Sequence, residues 1–76
     1  MQRKLWRSDV RTIGQAVRWH RQHRGWTQAQ LSFESSVSEG SLVRLEKENN
    51  TTLRSLLKLC KAMNVTLAEL ATLAGK

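Results

Sequence analysis

The side chains best suited to bind a metal or to act as a nucleophile are His20, His23 and Cys60. The two histidines are three residues apart and share one face of a helix, but a structural zinc site needs four ligands. Cys60 could pair with His20 as nucleophile and base, yet no third group would orient the histidine. We therefore expect that the protein binds no metal or cofactor and is not an enzyme. Cys60 is expected to be a buried thiol. His20 is expected to be half-buried and to titrate near neutral pH.

Basic side chains are the second informative set, because 13 Lys and Arg against 6 Asp and Glu give a net charge of +7. Seven of these cations fall within residues 1–24, against a single acid. An excess of this size favours an anionic partner, of which nucleic acid is the commonest. Charge alone does not show whether the partner is DNA, RNA or an anionic membrane surface. It also does not exclude that the charge only keeps a small domain soluble.

Length and composition exclude several classes of protein. A chain of 76 residues is one domain by the usual prior, and a deep catalytic cavity would consume its small core. The single cysteine excludes an internal disulfide framework. No apolar run could span a membrane, and no signal peptide is predicted. The basic residues do not share one amphipathic helix with a large apolar face, so a peripheral membrane protein is not expected either. We expect a cytoplasmic protein with no membrane partner and no small-molecule substrate.

Capping residues predict where most of the helices begin. Thr12, Thr27 and Thr66 each have Gln or Glu three residues later, which is the pattern of a reciprocal capping box. Ser38 lacks the box, but an apolar pair flanks it, as it flanks Thr27 and Thr66. Helices are therefore predicted to begin after each of these four residues.

A further helix is predicted to begin near Thr51 or Thr52, where leucines recur at helical spacing. The predicted helix ends are Gly25, Ser35-Ser36, Asn49-Asn50, Asn64 and Gly75. No segment alternates with the period of a strand. The sequence thus predicts an all-α fold of five short helices in residues 12–76, preceded by a basic N-terminal arm in residues 1–11.

The second and third helices, at about residues 28–34 and 39–47, are separated by a very short turn. A brief helix, a tight turn and another brief helix form the geometry of a helix-turn-helix, which we place at about residues 28–47. Short all-α domains often use tight turns, so this geometry does not by itself identify the motif. The residue types within the two helices provide the further evidence.

Those residues resemble the phage-repressor and Cro family (Xre, lambda-repressor-like) of bacterial helix-turn-helix proteins over about residues 12–73. The resemblance is carried by Ile13-Gly14 through Arg21, Gly25-Trp26-Thr27-Gln28, Leu31, Val37-Ser38, Leu42, Leu45-Glu46, Leu53 through Leu59, and Asn64 through Leu67. It implies a compact five-helix, lambda-repressor-like DNA-binding domain. Ser36 and Glu48 depart from the pattern, because the family usually has glycine at both positions. Residues 21–28 and 50–53 also resemble the DNA-binding antitoxins of HipA-type toxins.

The resemblance implies that the third helix, the recognition helix, lies in the major groove of double-stranded DNA with its N-terminal residues at base edges. Leu42 and Leu45 are expected to face the core. The outward side chains, predicted to read bases, are Glu39, Gly40, Ser41, Val43 and Arg44. Arg44 can donate two hydrogen bonds to guanine, and Glu39 can accept one from cytosine.

Phosphate contacts are expected from helix N-termini and nearby cations. The candidates are Thr27, Gln28, Ser38, Arg18, Lys47, Asn49, Asn50, Thr52 and Arg54, with Arg3, Lys4, Arg7 and Arg11 of the arm as further options. The resemblance also implies that Gln28 braces the recognition helix. It implies, too, that Arg21 and Glu46 form a structural salt bridge.

The fifth helix is apolar on most of its faces, more than a five-helix domain is expected to bury. We interpret it as a homodimer surface formed by Leu67, Leu70, Ala71, Leu73 and Ala74. Trp6 and Trp19 have no place in the predicted core. Either they mark an interface, or the arm folds back so that Trp6 covers Trp19.

Together these features predict a homodimeric, sequence-specific regulator of transcription in the bacterial cytoplasm, which represses by occupying an inverted-repeat DNA operator. Two alternatives use the same domain. One is an antitoxin that holds a toxin protein and autoregulates its operon. The other is the controller protein of a restriction–modification system.

Overall fold

Short α-helices, each begun by a hydroxyl side chain, make up the protein. The computed structural model describes residues 5–75, so Arg3 and Lys4 of the predicted arm lie outside the described residues. The helices are α1 (Ile13–His23), α2 (Gln28–Ser35), α3 (Glu39–Glu48), α4 (Leu53–Met63) and α5 (Leu67–Ala74), after a 3-10 turn at Arg7–Asp9. Residues 5–75 contain no strand, and the all-α prediction is confirmed.

The predicted capping residues begin the helices. The side chains of Thr12, Thr27, Ser38, Thr52 and Thr66 each accept a hydrogen bond from the backbone N–H three residues later. A full capping box forms at Thr66, whose N–H donates to Glu69 Oε1 at 2.9 Å. At α1, Gln15 accepts instead from the N–H of Arg11 at 2.6 Å, so the predicted box is displaced by one residue. At α2 only the threonine half is formed.

Three helices end on a residue with left-handed backbone. Ser36, Asn49 and Asn64 have φ angles of 61°, 56° and 57°. Glycine adopts this conformation without steric cost, asparagine visits it more readily than most residues, and serine gains no such advantage. The predicted ends at these three residues are thus confirmed, but Ser36 carries backbone strain at the turn between α2 and α3.

Serine hydroxyls hold that turn in place of glycine. Ser32 Oγ donates to the carbonyl of Val37 at 2.6 Å. The N–H of Val37 donates to Ser35 Oγ at 3.2 Å, and Ser35 Oγ donates to the carbonyl of Leu31 at 2.7 Å. Residues 36–38 therefore keep a fixed path from α2 into α3.

The core lies where α1 packs on α3 and α5 and where α2 packs on α3 and α4. Its buried apolar members are Val10, Ala16, Val17, Leu31, Val37, Leu42, Leu45, Leu59, Cys60, Met63, Val65, Leu70 and Leu73. Gly14 lets α1 approach α3, because an added Cβ would overlap the backbone carbonyl of Leu45. The N–H of Gly14 also donates to Asn49 Oδ1 at 2.9 Å, which fastens the start of α1 to the end of α3.

Two residues of the predicted dimer surface belong to this core instead. Leu70 and Leu73 are 0% and 4% exposed, so the prediction is wrong for both. It underestimated what the domain can bury, because α5 packs its apolar side against α1. Leu67 and Ala71 are exposed, and Ala74 is half-buried.

The segment before α1 packs onto the domain. Val10 is fully buried, and the N–H of Leu5 donates to Gln22 Oε1 at 2.8 Å. The Arg7 guanidinium lies 5.9 Å from the centre of the Trp19 ring, while Trp6 is 72% exposed. The segment thus folds back, but with Arg7 rather than Trp6 over Trp19. The described part of the predicted arm belongs to the packed body.

His20 is half-buried on α1 beside this segment. Burial lowers its pKa below the ordinary 6.5, as do the positive charge of Arg24 and smaller contributions from His23 and Arg7. Glu69 acts in the opposite direction. The folded protein therefore favours neutral His20.

Within residues 5–75, no helix combines the length and apolar character needed to cross a bilayer.

Ser36→Gly is expected to stabilise the fold by up to about 1 kcal/mol, because glycine removes the cost of a side chain in left-handed backbone. Urea unfolding monitored by circular dichroism measures the change. Ser36→Ala is the control, since it keeps a Cβ in the same conformation. Equal stability of the two variants would contradict strain at this turn.

His20→Leu is expected to flatten the dependence of stability on pH. Because the folded-state pKa of His20 is lowered, its stabilising effect is complete above 6.5 and is lost as the pH falls through the lower folded value. The measurement is the melting temperature between about pH 8 and about pH 5. His23→Gln should retain most of the wild-type fall, because His23 makes only a small contribution to the lowered pKa of His20. An unchanged fall in His20→Leu would refute the role of His20.

Candidate nucleic-acid interface

A buried ion pair joins α1 to α3. Arg21 Nε donates to Glu46 Oε2 at 2.8 Å, and Arg21 Nη2 donates to Glu46 Oε1 at 2.9 Å. The two residues are only 3% and 8% exposed. A bidentate arginine–carboxylate pair fixes direction as well as distance. It is the salt bridge that the sequence predicts, and it sets how α3 is rotated about its axis.

The same carboxylate also receives α2. Gln28 Nε2, on the first residue of α2, donates to Glu46 Oε1 at 3.1 Å. Arg21 Nη1 donates further to the carbonyl of Trp26, just before that helix, at 2.8 Å. Glu46 therefore accepts from both α1 and α2, and Gln28 lies where it can brace α3.

The opposite side of α3 faces solvent. Leu42 and Leu45 are 0% and 1% exposed, which confirms their predicted inward orientation. The residues predicted to read bases are Glu39, Gly40, Val43 and Arg44, all exposed, and Ser41, which is half-buried. They form one continuous outward arc that Lys47 extends by another turn.

A shallow cleft borders this arc on the side of α1 and α2. Its lining residues are Arg18, Gln28, Val43, Glu46 and Lys47. Three of these are predicted phosphate ligands that come from three different helices. The cleft thus brings the cations Arg18 and Lys47 together beside the exposed Val43.

A second cleft borders the arc on the side of α4. It is lined by Ser41, Arg44, Asn50, Thr51, Thr52 and Ser55. The sequence prediction missed Thr51 and Ser55 there. The run of hydroxyl residues around the start of α4 was the available signal, since Thr52 Oγ1 bonds both the N–H and the hydroxyl of Ser55. Arg54 is exposed in the first turn of the same helix.

Several other predicted phosphate ligands already hold structural hydrogen bonds. Asn49 Oδ1 accepts from Gly14, which leaves its amide NH2 to donate elsewhere. The Thr27 and Ser38 oxygens cap α2 and α3, and Ser38 Oγ also bonds Ser41 Oγ at 2.8 Å. These side chains hold the two helices in place, and any contact to a phosphate is additional.

The groups considered for other chemistry are placed differently. Among residues 5–75, no three His, Cys, Asp or Glu side chains come together as a metal site. Cys60 is 5% exposed, and burial, assisted by Glu69, raises the pKa of its thiol. That thiol stays protonated at neutral pH and is a poor nucleophile. His23 stacks on Trp19, with the ring centres 4.5 Å apart.

The chain is similar to a known protein family and to a protein of known structure. The family described as "Helix-turn-helix" matches residues 17–70 of the chain. A solved structure, that of the restriction-modification controller protein C.AhdI from Aeromonas hydrophila, is similar with a TM-score of 0.73 and 30% identity. The similarity covers 83% of this chain and 97% of that chain. No curated protein sequence matches the chain.

Glu46→Ala is expected to destabilise the fold by about 3–5 kcal/mol, because it leaves the Arg21 guanidinium buried without its partner. Urea unfolding checks this. Glu48→Ala is the matched control, since Glu48 is an exposed acid on the same helix and its loss should cost less than about 0.5 kcal/mol. Similar losses in the two variants would show that the buried pair does not hold α3.

Proposed function

The chain belongs to the helix-turn-helix family, so it is a DNA-binding transcriptional regulator, and we propose that it represses by occupying an inverted-repeat operator as a homodimer. One observation carries this proposal. The outward arc of α3 is largely polar and exposed, Glu46 anchors the helix to α1 and α2, and the arc lies between two clefts that hold cations and helix N-termini. Any soluble domain exposes polar side chains, but here cations and the starts of α2 and α4 lie on the two sides of one helix, as a groove bordered by two phosphate chains requires.

The outward arc is suited to the major groove. An α-helix fits that groove, where each base pair presents its own pattern of donors and acceptors. Arg44 can donate two hydrogen bonds to guanine O6 and N7, while Glu39 can accept from cytosine N4. Ser41, beside Arg44 in the second cleft, supplies a shorter hydroxyl. We assign base readout to this arc.

The clefts are suited to the two phosphate chains that border the groove. On one side, Arg18, Gln28 and Lys47 face the backbone together. On the other side lie Asn50 and Thr52 at the start of α4, with Arg54 one turn into that helix and the Asn49 amide close by along the chain. Thr27 and Ser38 add the N-termini of α2 and α3, which attract anions. These contacts fix position and register, and they carry no base information.

Size favours two copies on one operator. The described chain measures 28 × 27 × 22 Å, whereas successive major-groove sites on one face of DNA are about 34 Å apart. One copy carries a single recognition helix, α3, so it can occupy only one of these two grooves. We propose that the exposed positions of α5, namely Leu67, Ala71 and the edge of Ala74, face the second copy, with Leu70 and Leu73 supporting them from the core.

A second candidate function is the control of a restriction–modification system. The observation that favours it is the 30% identity to a controller protein of known structure over nearly all of that protein. The DNA chemistry would be the same, and only the regulated genes would differ. Occupancy of restriction and methyltransferase gene promoters, measured by chromatin immunoprecipitation, tests it. The antitoxin alternative stays a prediction that co-purification of a toxin would support.

Selection of bound duplexes from a random pool tests the main proposal. The expected outcome is one enriched inverted repeat with a fixed spacing between its halves, because a symmetric dimer reads the same half-site twice. A single enriched half-site would refute the dimer while keeping sequence-specific binding. No enrichment of any sequence would refute the proposed function itself.

Arg44→Ala is expected to relax specificity at one base position per half-site, with a loss of about 1–3 kcal/mol of discrimination. Lys47→Ala is the matched control on the next turn of α3. It should weaken all sequences alike and lower the slope of log K against log salt by about 0.9. Fluorescence anisotropy on operator and single-base variants measures both. Uniform weakening by Arg44→Ala would move Arg44 from base readout to phosphate contact.

A further inference from the structure

Val43 is the exposed aliphatic residue of the recognition arc. Its side chain is 40% exposed, while the other apolar residues of α3, Leu42 and Leu45, are buried. It lines the first cleft beside Arg18 and Lys47. An isopropyl group cannot hydrogen-bond, so at a base edge it can recognise only apolar surface. In the major groove that surface is the 5-methyl group of thymine.

Gly40 lies one turn before Val43 on the same face of α3. Glycine favours a helix less than alanine does, so its presence as the second residue of α3 needs a reason. Gly14 has such a reason within the chain, because a Cβ there would overlap the carbonyl of Leu45. At Gly40 an added Cβ would meet nothing within 4 Å. The folded chain therefore has no packing need for glycine at this position.

From this contrast we infer that bare backbone at Gly40 and the isopropyl group of Val43 form a notch that accepts one thymine 5-methyl group in each half-site. The inference rests on the proposed DNA-binding function and names the base feature that Val43 reads. Gly40 lets the floor of the groove come close to the helix, and Val43 then covers the methyl group. Specificity at this position comes from apolar contact, beside the hydrogen bonds that Arg44 can make.

Uracil substitution isolates the methyl group. Uracil pairs with adenine as thymine does and presents the same donors and acceptors, so only the methyl is lost. Each thymine of the selected operator is replaced in turn, and Kd is measured by anisotropy with the full chain. At one thymine per half-site, wild type should bind about three- to fivefold more weakly, the effect of one buried methyl group.

Val43→Ala should reduce that uracil effect at the same position, because less aliphatic surface then covers the methyl group, and leave the effects at other thymines unchanged. Leu57→Ala is the matched control, because Leu57 is 48% exposed on α4 and lies outside both clefts. It should keep the wild-type uracil profile. An unchanged profile in Val43→Ala, or a wild-type profile with no sensitive thymine, overturns the inference while the operator itself still supports DNA binding. Failure to select any operator overturns the proposed function and the inference with it.

Gly40→Ala supplies an independent readout. The melting temperature should rise, since alanine favours the helix and finds open space. Operator binding should nevertheless weaken by about tenfold or more, as expected when a methyl group obstructs a close-packed contact. Gly14→Ala should instead lower the melting temperature. If Gly40→Ala binds the operator as tightly as wild type, the close approach at Gly40 is overturned.

Discussion

The carboxylate of Glu46, buried between three helices, is the constraint on which the rest of the structure depends. A buried charge is tolerated only when its attraction to partners and its hydrogen bonds offset the loss of water. Here two arginine nitrogens from α1 and one amide from α2 provide them. The donors arrive from two helices, and together with the burial of Leu42 and Leu45 they fix the rotation of α3 about its axis. That rotation turns the outward arc toward solvent and leaves one cleft on each side of it.

Local chemistry explains why the helix boundaries could be predicted from the sequence. A capping threonine and the N–H that it binds are three residues apart, so the interaction needs no knowledge of the remaining chain. The predicted starts at Thr12, Thr27, Ser38 and Thr66 are therefore those of the structure. The sequence also marks Ser36 as unusual, because the family usually has glycine at that position. The hydrogen bonds of Ser32 and Ser35 that support the turn cannot be predicted from the sequence in the same way.

Features that depend on distant packing were predicted less well. Because α5 is apolar on most faces, its sequence predicts a dimer surface that includes Leu70 and Leu73. Helical periodicity alone does not say how much of that surface α1 covers. The Gly14–Asn49 hydrogen bond joins residues 35 positions apart, so no short pattern reveals it. The arc of α3 was predictable because the leucines at 42 and 45 mark the buried side. The neighbours on each side of it, such as Ser55, were not.

Burial of the Arg21–Glu46 pair separates the response of folding to salt from the response of binding. Mobile ions screen charges that face water over about 8–10 Å at moderate ionic strength, whereas buried pairs are screened much less. Arg44, Lys47 and Arg54 are exposed, whereas the Arg21–Glu46 pair is buried. Raising the ionic strength would thus free the protein from a polyanion while leaving its recognition surface assembled. A change in ionic conditions would act on occupancy alone, and rebinding would require no refolding.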